Sequence, residues 1–162
     1  MRKHLFALWI ICFLANFAIA QEKKPITWKD IPTWKYMQSS SFEISPDGQW
    51  IAYGIVALEA DGEVILQKVN DPESKKTFKI GSTNFPAIEF SADSKWIAFK
   101  EYPKFSEKKA NEKSKGKPLR DKLILMELGK EEKVTFENVS SFSFNGETAS
   151  HLAINLPKEG NG

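Results

Sequence analysis

Cysteine is missing from this sequence beyond position 12, and so is any serine-nucleophile turn. Cys12 is the single cysteine and lies in an apolar run near the start, so the rest of the chain has neither disulfides nor thiolate metal ligands. Packing alone must hold it together. No G-x-S-x-G stretch occurs in the 162 residues, so they contain no hydrolase nucleophile elbow. Histidine is nearly as scarce, with only His151 beyond His4. No nucleophile or orienting acid is identifiable beside His151, which reads as a partly buried strand histidine rather than a general base. The sequence therefore assigns no catalytic residue, no metal ligand and no cofactor site.

An excess of one charge is also absent. The 23 Lys+Arg face 21 Asp+Glu, and removing Arg2 and Lys3 with the first 20 residues leaves 21 against 21. A balanced chain gives no electrostatic argument for a nucleic-acid partner. Those first residues are set apart by their pattern. A basic start of Arg2, Lys3 and His4 precedes an apolar run over 5–17, then Ala18-Ile19-Ala20 before Gln21. That order predicts a signal peptide over 1–20, cleaved between Ala20 and Gln21, and export to the periplasm or the medium. The run is short for a span of about 20 residues, so no stable membrane span is expected after cleavage; the competing reading is an uncleaved anchor. Ile11 is not the small residue that lipoprotein processing needs before Cys12.

The remainder is long enough for one ordinary domain and reads as short strands between turn residues. Residues 42–44 alternate, Ser45-Pro46-Asp47-Gly48 turns, and 50–58 is a long apolar strand. Strands are predicted again at 63–69 and 77–80, closed by Gly81. The pattern then restarts: 87–90, the turn Ser91-Ala92-Asp93-Ser94, Trp96-Ile97-Ala98-Phe99, then 122–128 and 133–136. A third start follows at 140–144, with a turn at Asn145-Gly146 read as three residues longer than in the second unit, and His151 where the others have Trp50 and Trp96. Four-stranded units recurring every 40–50 residues or so are the mark of a β-propeller. The expected fold is thus all-β, a partial propeller of about two and a half four-stranded antiparallel blades. The expected segments are an entry at 21–40, blade 1 at 41–82, blade 2 at 83–137 with a lysine-rich insertion at 104–122, and the truncated start of blade 3 at 138–162. A ten-stranded β-sandwich is the competing architecture; the in-register repeat of turn and aromatic strand speaks against it.

The repeated residues have backbone roles. Pro46 pre-sets the second position of a type I turn, Ser45 bonds back to the backbone, and Gly48 suits the position where a left-handed residue falls. Asp47 has a metal-ligand reading, but a calcium loop needs several alternating oxygen ligands, so an Asp that completes its own turn is favoured. Trp50 with Ala52, and Trp96 with Ala98, place a large ring and a small side chain on one face of a strand. This combination suits a tight sheet-to-sheet interface, in preference to an exposed stacking platform.

With "ITWKDIPTWKYMQSSSFEISPDGQWIAYGIVALEADGEV", "FSADSKWIAF" and "DKLILMELGKEEKVTFENVSSFSF" in view, the chain resembles the N-terminal propeller of exported prolyl oligopeptidase-like serine peptidases. More loosely it resembles TolB-like and other WD-type propeller repeats. The resemblance covers nearly all of the chain after residue 20. It implies a propeller that gates peptide substrates for a C-terminal α/β-hydrolase domain carrying a Ser-Asp-His triad, in a protein whose activity is proteolysis. No triad residue carries over onto these positions. The partners implied are that hydrolase domain and peptide substrates; a non-enzymatic periplasmic binding or assembly module of TolB-like kind is the alternative. A fragment of this kind is expected to fold poorly alone, because its outer sheet faces stay open.

The insertion at 104–122 holds seven Lys and one Arg against Glu107, Glu112 and Asp121, a net +5. An anionic surface, RNA or an acidic partner would suit it. Its polarity and its Gly116-Lys117-Pro118 stretch predict a mobile, solvated loop instead. Asn138-Val139-Ser140 matches a glycosylation acceptor but falls at a strand entry and is given no weight.

Overall fold

The computed structural model describes residues 23–148 and 151–157. The expected cleavage site at Ala20 and Gln21 lies outside them. Among the described residues, ten strands form three antiparallel sheets. The first holds β1 (Tyr36–Ile44), β2 (Trp50–Val56), β3 (Gly62–Lys68) and β4 (Asp71–Gly81) in that order; the second holds β5 (Ile88–Phe90), β6 (Trp96–Glu101), β7 (Lys122–Glu127) and β8 (Lys133–Phe136). The third pairs β9 (Ser141–Phe144) with β10 (Leu152–Asn155). The protein is all-β in class, and each sheet is built from consecutive strands.

The sheets form where period-two patterning meets turn residues. In β2, Trp50, Ala52, Gly54 and Val56 are buried while Ile51, Tyr53 and Ile55 are half-buried, so both faces are apolar and one is better covered. The covered face packs on the second sheet: Trp50, Val64, Leu66 and Ile80 meet Ile97, Phe99 and other residues in one core. The opposite face of the second sheet, through Ala98 and Leu123, packs on Phe142, Phe144, Leu152 and Ile154 of the third. The second sheet is therefore covered on both sides.

Apart from β4, which starts at Asp71 rather than at residue 77, two segments differ from expectation. The first strand reaches back to Tyr36, inside the expected entry segment, and its register against β2 shifts between Gln38 and Phe42. The irregularity buries Ser41, whose hydroxyl donates to the Pro86 carbonyl at 2.7 Å. A bulge of this kind bends the strand and re-aims side chains.

The second difference corrects the lysine-rich insertion, which is not simply a solvated loop: Phe105–Ser114 forms an α-helix, α1. Ala110 and the Lys and Glu residues are good helix formers, and fixed contacts hold its first turn. The Lys104 amide donates to Glu107 Oε2 at 3.0 Å, the Phe105 amide to Asp61 Oδ1 at 2.7 Å, and the Lys108 ammonium to the Ser82 carbonyl at 2.6 Å. Lys115, at φ 50, ends the helix.

Candidate interaction face and its repeated turn

The turn before each second strand is built the same way in the first two sheets. Ser45 is 2% exposed and Ser91 fully buried. The Ser45 hydroxyl donates to Asp47 Oδ1 at 2.5 Å and accepts from the Trp50 amide at 2.9 Å. The Ser91 hydroxyl donates to Asp93 Oδ1 at 2.7 Å and accepts from the Trp96 amide at 2.9 Å. The same aspartate oxygens accept from the amides of Gln49 at 3.0 Å and Lys95 at 3.1 Å. These bonds, the serine hydroxyl's first, hold the Asp47 and Asp93 carboxyls below their ordinary range, because hydrogen bonds to the charged form favour it. Both aspartates are thus occupied in their own turns.

Pro46 lies within the first turn, closed by the Gly48 amide donating to the Ser45 carbonyl at 2.8 Å, with Gly48 at φ +70. The second turn closes identically, its Ser94 amide donating to the Ser91 carbonyl at 2.9 Å, and Ser94 takes the left-handed φ of 55. The Ser94 hydroxyl then accepts from the Asp47 amide at 2.9 Å. Sequence reading missed this bond, which links one turn to the next. In the third turn Asn145 replaces the serine: its amide donates to the His151 carbonyl at 3.2 Å, and its Oδ1 accepts from the His151 amide at 3.3 Å. The paired positions there are six apart rather than five, one residue longer than in the second unit and not the three expected. His151 is exposed.

Cross-strand register makes the sheet faces comparable position by position. Phe42 pairs with Tyr53 and Ile44 with Ile51 in the first sheet, as Ile88 pairs with Phe99 and Phe90 with Ile97 in the second. In the second sheet these four are covered by the first sheet, and none is more than 9% exposed. In the first sheet Phe42 is 41% and Ile44 54% exposed, with Ile51 and Tyr53 half-buried. Phe42 and Tyr53 stack at 6.5 Å. The first sheet thus presents an open apolar face with the pattern that the second sheet keeps covered. Trp50 and Ala52 lie on the covered face; Ala98, fully buried, and the half-buried Trp96 occupy the equivalent positions toward the third sheet.

A cleft of about 310 Å³ lies between the irregularity of β1 and the starts of β5 and β9, lined by Ser41, Pro86, Glu89, Lys100, Tyr102 and Ser140 among others. Its polar groups are engaged. Lys100 Nζ lies 2.6 Å from Asp121 Oδ2, donates to the Ser140 carbonyl at 2.8 Å, and sits 5.4 Å above the Tyr102 ring. The Tyr102 hydroxyl accepts from the Ala87 amide at 3.0 Å and donates to the Phe85 carbonyl at 3.2 Å; burial pushes its pKa up. Glu89 Oε1 accepts from the Phe144 amide at 3.0 Å, tying the second sheet to the third. Burial first, then the charge of Glu89, raises the pKa of Glu43 on the neighbouring strand. These groups join sheets; they are not arranged as a nucleophile with its base. The repeat of Glu43 and Glu89, each flanked by apolar residues, is the sequence signal for this pair of carboxylates.

Among the described residues, no three His, Cys, Asp or Glu side chains are grouped to hold a metal ion. No helix among them is long and apolar enough to cross a membrane. No protein-family model matches the chain, and no match is found among the curated proteins or the solved structures.

Proposed function

We propose that the chain is the non-catalytic N-terminal propeller portion of an exported serine peptidase of prolyl oligopeptidase type, and that its sheets are blades. The observation that carries this reading is the repeat of one turn and one pair of faces: Ser45, Asp47, Trp50 and Ala52 in the first unit, Ser91, Asp93, Trp96 and Ala98 in the second. Consecutive four-stranded meanders stacked face to face are how radial repeats bury apolar surface that no single unit can bury alone.

In this reading the open face of the first sheet receives a further four-stranded unit. The second sheet's equivalent face takes Trp50, Val64 and Leu66, so the incoming unit supplies a similar stripe of large and small apolar residues. Chemistry belongs to an α/β-hydrolase domain elsewhere in the parent protein, and the blades restrict which peptides reach it. Export follows from the leader pattern at 1–20.

A fluorophosphonate probe tests the assignment. This chain should not label, whereas the full parent protein should label at a serine outside these residues and hydrolyse a peptide substrate. A parent that carries further blades yet neither labels nor cleaves peptides would favour a TolB-like binding or assembly module.

A further inference from the structure

The lysine-rich insertion carries five exposed cations within twelve residues, Lys109, Lys113, Lys115, Lys117 and Arg120. None makes an ion pair with a carboxylate among the described residues, whereas Lys100 and Lys122 at its borders are paired with Asp121 and Glu137. The insertion has a net charge of +5 in a chain that is balanced as a whole after residue 20, so the remainder must hold an equal excess of acid. Such segregation is not needed for solubility, which mixed surface charge provides. The insertion is also ordered: its helix is tied to the first sheet through Asp61 and Ser82, so its cations project from a fixed base.

We infer that α1 and its return form an electrostatic contact site for an anionic lipid surface. Four observations favour this partner. Phe105 and Ala110 are the apolar residues of helix α1 and do not form a stripe along it, so it has no apolar face to insert, and attraction to headgroups is the available mode. RNA would call for interleaved aromatic rings, and Phe105 alone is present, already covered by the Lys109 ammonium at 4.9 Å. The cleft between the helix and its return mixes Glu101 and Glu107 with Lys104, Arg120 and Lys122, so an acidic peptide finds no purely cationic groove there. The leader pattern puts the chain's route at a membrane. The contact does not depend on the peptidase assignment, and probe labelling has no bearing on it.

Vesicle co-sedimentation of the full chain tests the site, comparing pure phosphatidylcholine with vesicles containing about 30 mol% phosphatidylglycerol at low salt. The pure vesicles report any contribution from the apolar run at 5–17. The chain should bind the anionic vesicles at least about tenfold more tightly, and raising the salt severalfold should remove that preference. The triple variant K113Q/K115Q/K117Q should lose the preference about tenfold or more, while the equally charge-reduced K75Q/K79Q/K133Q should change it by less than about threefold. Circular dichroism checks that both variants keep their strands. Equal binding to both vesicle types, or equal losses in both variants, would overturn the inference. So would tighter binding of a poly-glutamate peptide or an RNA oligomer than of the anionic vesicles under the same conditions.

Discussion

Replacing Ser91 by Ala tests whether the repeated turn is held together by its serine. The hydroxyl is fully buried, donates to Asp93 Oδ1 at 2.7 Å, and accepts from the Trp96 amide at 2.9 Å. Alanine fits the space but removes both bonds, leaving the Trp96 amide without its acceptor and the Asp93 carboxylate without its shortest donor. A hydrogen bond to a charged group contributes about 1.5–3 kcal/mol, and an orphaned buried donor costs about 1–3 kcal/mol. Asp93 is exposed to solvent, which places the sum near the lower figures, at about 2 kcal/mol. At 1.4 kcal/mol per factor of ten, that is about a thirtyfold change in the opening equilibrium. Hydrogen exchange reads this locally and needs no global unfolding transition. The Trp96 amide is a poor reporter because the substitution removes its partner. The Ser91 and Ser94 amides are better, since they donate to the Trp96 and Ser91 carbonyls, which the variant keeps. Both should exchange about thirtyfold faster, with the Ser45 and Gly48 amides of the first turn changed far less. If the Ser91 and Ser94 amides change by less than about threefold, backbone geometry alone holds the turn and the serine is incidental.

Three further outcomes follow from the same geometry. Ser94→Ala keeps the left-handed φ of 55 and removes the bond from the Asp47 amide. It should cost about 1 kcal/mol, while Ser94→Gly loses the bond but relieves about 1 kcal/mol of backbone strain and should be near neutral; equal urea midpoints for the two variants would contradict this. The Asp47 and Asp93 carboxyls titrate below their unfolded value, so the stability they add is present above about pH 4 and is lost as pH falls through their folded values. Exchange of the Gln49 and Lys95 amides should therefore quicken in acid, beyond its intrinsic pH trend, in the native chain but not in D47N/D93N. The raised Glu43 acts with the opposite sign and is cancelled in the comparison. Finally, Ile44→Lys on the open face should suppress concentration-dependent association in sedimentation velocity with stability changed by about 0.5 kcal/mol or less. Phe90→Lys, at the covered equivalent and only 8% exposed, should unfold the chain; an unfolded Ile44→Lys variant would mean that the first face is not open.

Strands were legible because their determinants are local. Period-two patterning between Ser, Asp, Asn and Gly turns located β2, β5, β6, β7 and β8 within two residues or so of their ends. Helix α1 was not legible for the converse reason. It has no apolar stripe to give a 3.6 period, and its anchor, Asp61, lies 44 residues away. The early start of β1 was hidden as well, since Tyr36 joins the sheet only by way of the irregularity that buries Ser41. The candidate interaction face was half legible. Phe42-Glu43-Ile44 and Ile88-Glu89-Phe90 carry one pattern, so sequence can say that both make apolar faces. Only the position of a neighbouring sheet separates the covered one from the open one.

The second turn shows what a repeat can hide. Read as sequence, Ser91-Ala92-Asp93-Ser94 is a weakened copy of Ser45-Pro46-Asp47-Gly48, with its proline and glycine lost. In the structure Ser94 adopts the same left-handed backbone as Gly48, a conformation that costs a non-glycine residue about 1–2 kcal/mol. Its hydroxyl accepts the Asp47 amide of the preceding turn, which offsets part of that cost and which glycine could not do. The change from Gly48 to Ser94 therefore has a direction. A unit stacked against the second sheet can latch onto its turn, whereas one stacked against the open face of the first meets glycine and must rely on Phe42, Ile44 and Tyr53. The two junctions are unlike even though the two turns look alike, so apolar contact rather than turn-to-turn hydrogen bonding must hold whatever covers the first sheet.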